Sequence, residues 1–119
     1  MSHRLAIKIT RGETDAETVA MALSVAAASV AGGVPTALWL AGDAAWFAVP
    51  DRIERLSVPH ADPTQSMSTV LQFGEVYLCT PCALRRGIGE DSIRPGIALA
   101  GAATFVEQVV HPDVQALIY

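Results

Sequence analysis

Two cysteines stand three residues apart in Cys79-Thr80-Pro81-Cys82, and two arginines, Arg85 and Arg86, follow within a turn. No other cysteine occurs in the 119 residues. Thiols at this spacing can form a redox pair, supply half of a metal site, or carry sulfur on one atom beside a second. They can also be two small core residues, since free cysteine is often buried. Thr80 is a capping type and Pro81 suits the first helical position, so the pair reads as the junction between a strand and a helix. Cys82 then falls in the first helical turn, where backbone N–H groups lack partners and the helix dipole favours a thiolate. Arg85 and Arg86, three and four residues on, share its side of the helix. A helix N-terminus and nearby cations lower a thiol pKa from its usual value of about 8.5. Spacing alone does not rank the two sulfurs by exposure.

The alternatives ask for residues that the rest of the chain does not supply in pattern. A structural zinc needs four ligands. His3, His60 and His111 are scattered, with no paired spacing, so no metal is expected. A thioredoxin-like dithiol usually follows the first long strand, whereas this motif comes after two strand–helix units. No glycine-rich nucleotide fingerprint follows a strand, so no cofactor is expected. Asp43 reads as a turn residue, His60 as a loop residue, and Trp39 and Trp46 as packing.

The elements that must position the thiols show in the hydrophobic pattern. Residues 4–10 alternate and predict a first strand. Thr14 or Asp15 is expected to cap a helix that runs to Ala31 and stops at Gly32-Gly33. Val19, Leu23, Ala27 and Val30 form one apolar face of it, and Met21, Ala22, Val25 and Ala28 much of another, which predicts burial on most sides. Residues 35–41 are continuously apolar, as in a strand covered on both faces. A short edge strand is expected within residues 52–59. Asp62-Pro63-Thr64-Gln65 is a helix start, with Gln65 reaching back to the cap, and that helix ends at Gly74. A strand over 75–79, a long helix from Gly96 to Val110 and a last strand over 114–119 complete the series.

Strands alternating with helices predict a single α/β domain over residues 1–119. Its architecture is three-layer α/β/α, a doubly wound, mainly parallel sheet of four to five strands. Ligands in such sheets gather beyond the C-terminal strand ends. Three loops are expected to meet there: Arg11-Gly12, Gly42-Asp43 and the cysteine loop.

Composition narrows the partners. Apolar residues make up 51 % and charged residues 17 %, so apolar surface is expected to be shared in a homo-oligomer. Basic residues are scattered with no stripe, which argues against nucleic acid. The charge-free stretch from residue 18 to 42 is broken by Gly32-Gly33-Val34-Pro35, so no membrane span is expected. The N-terminal residues lack the apolar core of a signal peptide, and adjacent thiols suit a reducing compartment, so the cytoplasm is expected.

The run Cys79-Thr80-Pro81-Cys82-Ala83-Leu84-Arg85-Arg86-Gly87-Ile88 resembles the active loop of the DsrE/DsrF-like sulfur-relay family, which includes the TusD-type carriers. Residues 19–44 are similar to that family's first helix, second strand and Gly-Asp loop, and residues 87–110 to its last helix. The resemblance implies assembly into dimers, trimers or hexamers, with trimer or hexamer favoured. It also implies sulfur donor and acceptor proteins, and a possible sulfurtransferase activity in which Cys79 carries sulfane sulfur as a persulfide. Cys82 stands where a small non-thiol residue is usual, so it is expected to resolve or relay the sulfur. Arg85 and Arg86 would favour the thiolate, and Thr10, Arg11, Gly42 and Asp43 would line the pocket. A dithiol redox protein using a Cys79–Cys82 disulfide, and a non-catalytic oligomeric binding module, are the alternatives.

Overall fold

The computed structural model describes residues 3–119. Five strands, β1 (Arg4–Ile9), β2 (Thr36–Leu40), β3 (Glu75–Cys79), β4 (Ile97–Ala100) and β5 (Val114–Ile118), form one sheet in the order β4-β3-β2-β1-β5. Every pairing is parallel. Helices α1 (Ala16–Ala31), α2 (Pro63–Phe73), α3 (Thr80–Arg85) and α4 (Ala102–Val109) connect them. Stepping from β1 to β4 moves the chain in one direction across the sheet, and the return to β5 reverses it. Right-handed crossovers therefore place α1 and α2 on one face and α4 on the other.

Side-chain alternation divides the strands between these faces. Ile7, Ile9, Leu38, Leu40, Val76 and Leu78 point to the face covered by α1 and α2, and all are buried with Val19, Leu23, Met67 and Val70 of those helices. The opposite face carries Ala6, Lys8, Trp39 and Tyr77, over which α4 lies. Trp39 anchors that helix: Phe105 meets its ring edge-on at 5.3 Å, and its Nε1–H donates to Gln108 Oε1 at 2.9 Å. Tyr77 stacks on Trp39 at 4.8 Å.

α2 begins where the sequence predicts, with Asp62 Oδ1 accepting from the Gln65 N–H at 3.1 Å and Pro63 in the first turn. The Gln65 side chain does not reach back; its amide lies 3.5 Å from Thr69 Oγ1, one turn on.

Four further sequence expectations about the elements differ from the structure. Residues 52–59 hold a 3₁₀ turn, Ile53–Arg55, and no strand. Ile97–Ala100 is a strand instead of the first half of a long helix, because β3 offers it a free edge to pair with. The cap of α3 is Cys79, so Thr80 and Pro81 are its first two helical residues. α1 buries Val19, Ala20, Ala22, Leu23 and Ala26, but Met21 stands 52 % exposed and Ala28 faces outward. One face of that helix is therefore open in the single chain.

Candidate functional site

β3 ends at Cys79 between β2 and β4, so the thiol pair is delivered to the C-terminal rim of the sheet near its middle. The chain turns into α3 there because Cys79 remains extended while Pro81, lacking an N–H, fits a first turn whose donors have no acceptors. Three residues later Cys82 is brought back over the strand end. Its Sγ lies 2.6 Å from Cys79 Sγ, and both thiols are free. Cys82 is 7 % exposed, whereas Cys79 is half-buried.

The loop after β2 completes the site. The Gly42 N–H donates to Cys82 Sγ at 3.2 Å. Gly42 has φ of 53°, and a Cβ there would stand 2.8 Å from the Thr10 carbonyl oxygen. Only glycine brings its amide to the sulfur without both backbone strain and a collision. Gly12, in the loop after β1, has an extended backbone and is constrained by space alone, since its Cβ would meet Asp43 Cβ at 2.8 Å. Arg86 ties α3 to this loop: one terminal nitrogen reaches Asp43 Oδ1 at 2.8 Å and the other donates to the Cys82 carbonyl at 3.1 Å.

These contacts make the two thiols unequal. Burial alone would raise the Cys82 pKa, but the hydrogen bond with Cys79, the Gly42 N–H, and the charges of Arg86 and Arg85 outweigh it and lower it. Burial pushes the Cys79 thiol up, as does the hydrogen bond to Cys82. The Cys82 backbone N–H and the Lys8 ammonium oppose that rise. The two shifts therefore run in opposite directions, Cys82 toward the thiolate and Cys79 toward the thiol.

Of the residues expected at the site, Cys79, Cys82, Gly42, Asp43 and Arg86 come together. Arg85 is exposed and acts on Cys82 through its charge alone. Thr10 contributes its backbone; its hydroxyl donates to the Tyr119 carbonyl at 2.8 Å. Arg11 pairs with Asp15 at 3.6 Å within its own loop. No spacing rule marked the Gly42 amide as a donor to sulfur, since that contact joins residues 40 apart in sequence. Among the described residues no three His, Cys, Asp or Glu side chains gather as metal ligands, and no helix is long and apolar enough to cross a membrane. A cleft of about 240 Å³ bordered by Gly12, Asp43, Trp46 and Arg52 adjoins the rim. A larger one, about 490 Å³, lies at the opposite strand ends among Arg4, Pro35, Phe73, Glu75, Glu107 and His111.

The fold has counterparts among solved structures. YchN from E. coli superposes with a TM-score of 0.80 at 17 % identity, covering 98 % of this chain and 99 % of that one. The MTH1491 protein of Methanobacterium thermoautotrophicum, described as of unknown function, gives 0.75 at 14 % identity over 99 % and 100 % of the two chains. The fold is that of the DsrE/DsrF-like proteins. BT1422 from Bacteroides thetaiotaomicron, a conserved protein of unknown function, follows at 0.62 and 17 % identity, over 98 % and 94 %. No family model matches the sequence, and no curated protein does. At these identities the likeness is one of fold.

Replacing Gly42 by alanine tests how tightly the rim is built. The positive φ and the contact with the Thr10 carbonyl are expected to cost about 1–3 kcal/mol. The displaced amide should also raise the pH at which Cys82 reacts. A chemical denaturation midpoint and a thiol alkylation profile, both unchanged from wild type, would show that the Gly42 amide does not govern the thiolate.

Proposed function

We propose that this chain is a DsrE/DsrF-like sulfur-transfer protein that holds sulfane sulfur as a persulfide on Cys79. The observation that supports the reading is the pair of sulfurs 2.6 Å apart at the strand rim, with Cys79 the less buried residue and Cys82 Sγ held by the Gly42 N–H. Cys79 attacks the terminal sulfur of a donor persulfide, R–S–SH, while its proton passes to the Cys82 thiolate. The donor S–S bond breaks and R–S⁻ leaves, giving Cys79–S–SH and Cys82–SH; the transferred sulfur keeps its oxidation state. An acceptor thiolate then takes that sulfur by the reverse displacement, leaving Cys79 as the thiolate. Cys82 supports this as the proton acceptor held 2.6 Å away.

The proximity of the sulfurs also favours a second outcome. A Cys82 thiolate attacking the inner sulfur of Cys79–S–SH forms the Cys79–Cys82 disulfide and releases HS⁻. The thiol pair is then oxidised by two electrons and the sulfane sulfur reduced, and an external dithiol must restore the pair. Partner proteins that donate and accept sulfur, a cytoplasmic setting and a homotrimer or homohexamer belong to the same proposal. Val106 and Val110, 53 % and 68 % exposed at the α4 end of the chain, and Ile118 at 59 %, are consistent with such packing.

The test is incubation of the reduced protein with a persulfide donor, followed by intact mass spectrometry. A gain of one sulfur atom, removed by a reductant, is expected. No gain at either cysteine, with both open to alkylation, would sink the proposal. A pH series checks the electrostatics independently. The first alkylation of the pair should have a midpoint below the usual cysteine range and the second a midpoint above it, since these values belong to the pair. Cys79→Ala should return the Cys82 midpoint toward the ordinary range; a single shared midpoint in wild type would contradict the unequal pair.

A further inference from the structure

Lys8 is the one feature near the thiols that the proposed chemistry has not used. It lies on β1, half-buried on the α4 face, among positions otherwise filled by Ala6, Trp39, Tyr77 and Ala98. Among the described residues no carboxylate lies within 4.0 Å of its ammonium. Instead Nζ sits over the Phe105 ring, 3.9 Å from its centre. A lysine usually extends its charge to water or to a carboxylate. Here it is turned onto an aromatic face under a helix.

Register fixes where that charge stands. Lys8 pairs with Trp39, Trp39 pairs with Tyr77, and Cys79 lies two residues beyond Tyr77 on the same face of the same strand. Phe105 belongs to the first turn of α4, which starts just after Ala100, and Ala100 pairs with Cys79. The ring that holds the ammonium therefore lies one same-face position short of Cys79, in the half of the sheet nearest the thiol rim. The other charged side chains on the strands and α4 are Arg4, Glu75 and Glu107, and all three line the cleft at the far end of the sheet. β2, β4 and β5 carry no charged residue. At the thiol rim, the α4 face offers Cys79 a single cation, Lys8. Arg85 and Arg86, on α3, act on Cys82.

We propose that Lys8 is a positioning residue for sulfur chemistry, the counter-charge for the anionic sulfur carried on Cys79. This rests on the sulfur-transfer reading. The two cysteines are thereby served by separate cations, Cys82 by the arginines of α3 and Cys79 by Lys8 from two strands away. Transfer that leaves Cys79 as a thiolate, or as a deprotonated persulfide, is favoured by a positive charge held over the Phe105 ring. The Lys8 charge also lowers the Cys79 pKa against the burial that raises it.

The experiment reads Cys79 alone in a Cys82→Ser background. Lys8→Met, which keeps the length and removes the charge, should slow alkylation of Cys79 at pH 7.5 by about three-fold or more and move its pH profile upward. Lys8→Arg should restore the rate to within about two-fold, which a packing role for the side chain would not require. Lys8→Gln serves as a second neutral variant, with near-UV circular dichroism showing that the fold is intact. A Lys8→Met or Lys8→Gln profile that overlays the parent would overturn the proposal. So would a Lys8→Arg variant as slow as the neutral ones. Sulfur loading of the otherwise unaltered chain is measured in parallel. Loading with an unchanged alkylation profile rejects the Lys8 role and keeps the carrier. A Lys8-dependent profile without loading rejects the carrier, and with it the sulfur role of Lys8.

Discussion

Cys79→Ser is expected to abolish sulfur loading, lowering it by about two orders of magnitude or more, because a serine hydroxyl neither ionises near neutrality nor bonds stably to sulfane sulfur. Cys82 should not replace it. The residue is 7 % exposed, and its sulfur is held by the Gly42 amide. Cys82→Ser should behave differently. Loading should persist but slow by about three- to ten-fold, since the thiolate that takes the Cys79 proton is gone. The persulfide, once formed, should outlive that of wild type by about ten-fold or more, because its intramolecular attacker has been removed. Intact mass spectrometry over time, with sulfide release measured alongside, separates these outcomes. Loading of Cys79→Ser at the wild-type rate would move the nucleophile to Cys82 and overturn the assignment. Equal persulfide lifetimes in wild type and Cys82→Ser would remove the resolving role of Cys82.

The largest effect on stability is expected at Trp39. It is 2 % exposed at the centre of the sheet, stacked on Tyr77, edge-on to Phe105 and hydrogen-bonded to Gln108. Trp39→Ala empties that space and leaves the Gln108 carbonyl oxygen without its donor. A loss of about 3–5 kcal/mol is expected, read as a lower denaturant midpoint with an unchanged slope. Trp39→Phe should lose less, because it keeps an aromatic ring against Tyr77. α4 touches the sheet through this cluster and is short, with eight residues. Amide exchange in α4 should therefore accelerate more than in α1 when Trp39 is removed. A cost below about 1 kcal/mol, or uniform acceleration, would mean that α4 is held by something other than Trp39. Release of α4 would also free Lys8 from the Phe105 ring, which couples the packing of this face to the electrostatics of Cys79.

What the sequence determined by itself is most of the order of elements and the place of the thiol pair at a strand end. Alternation over residues 4–9, the capped start at Asp62-Pro63 and the stop at Gly32-Gly33 are local signals, readable because periodicity, caps and backbone-specialised residues act within one turn or one strand. The succession of strands and helices gave the parallel sheet, and the common direction of its strands put their C-terminal loops on one rim. β4 escaped notice because four residues, Ile97-Ala98-Leu99-Ala100, carry no helix-breaking or alternating signal; pairing with β3 decides their state. The thiols were legible as a pair, and Cys82 as the one a helix start and two arginines favour as thiolate, but not their ranking by exposure or the rise at Cys79. Burial and the bond to Cys82 raise Cys79, against a lysine two strands over, while the bond to Cys79, an amide 40 residues away and an arginine strapped to Asp43 lower Cys82. Electrostatic fields depend on distance through space, and only the folded chain sets those distances.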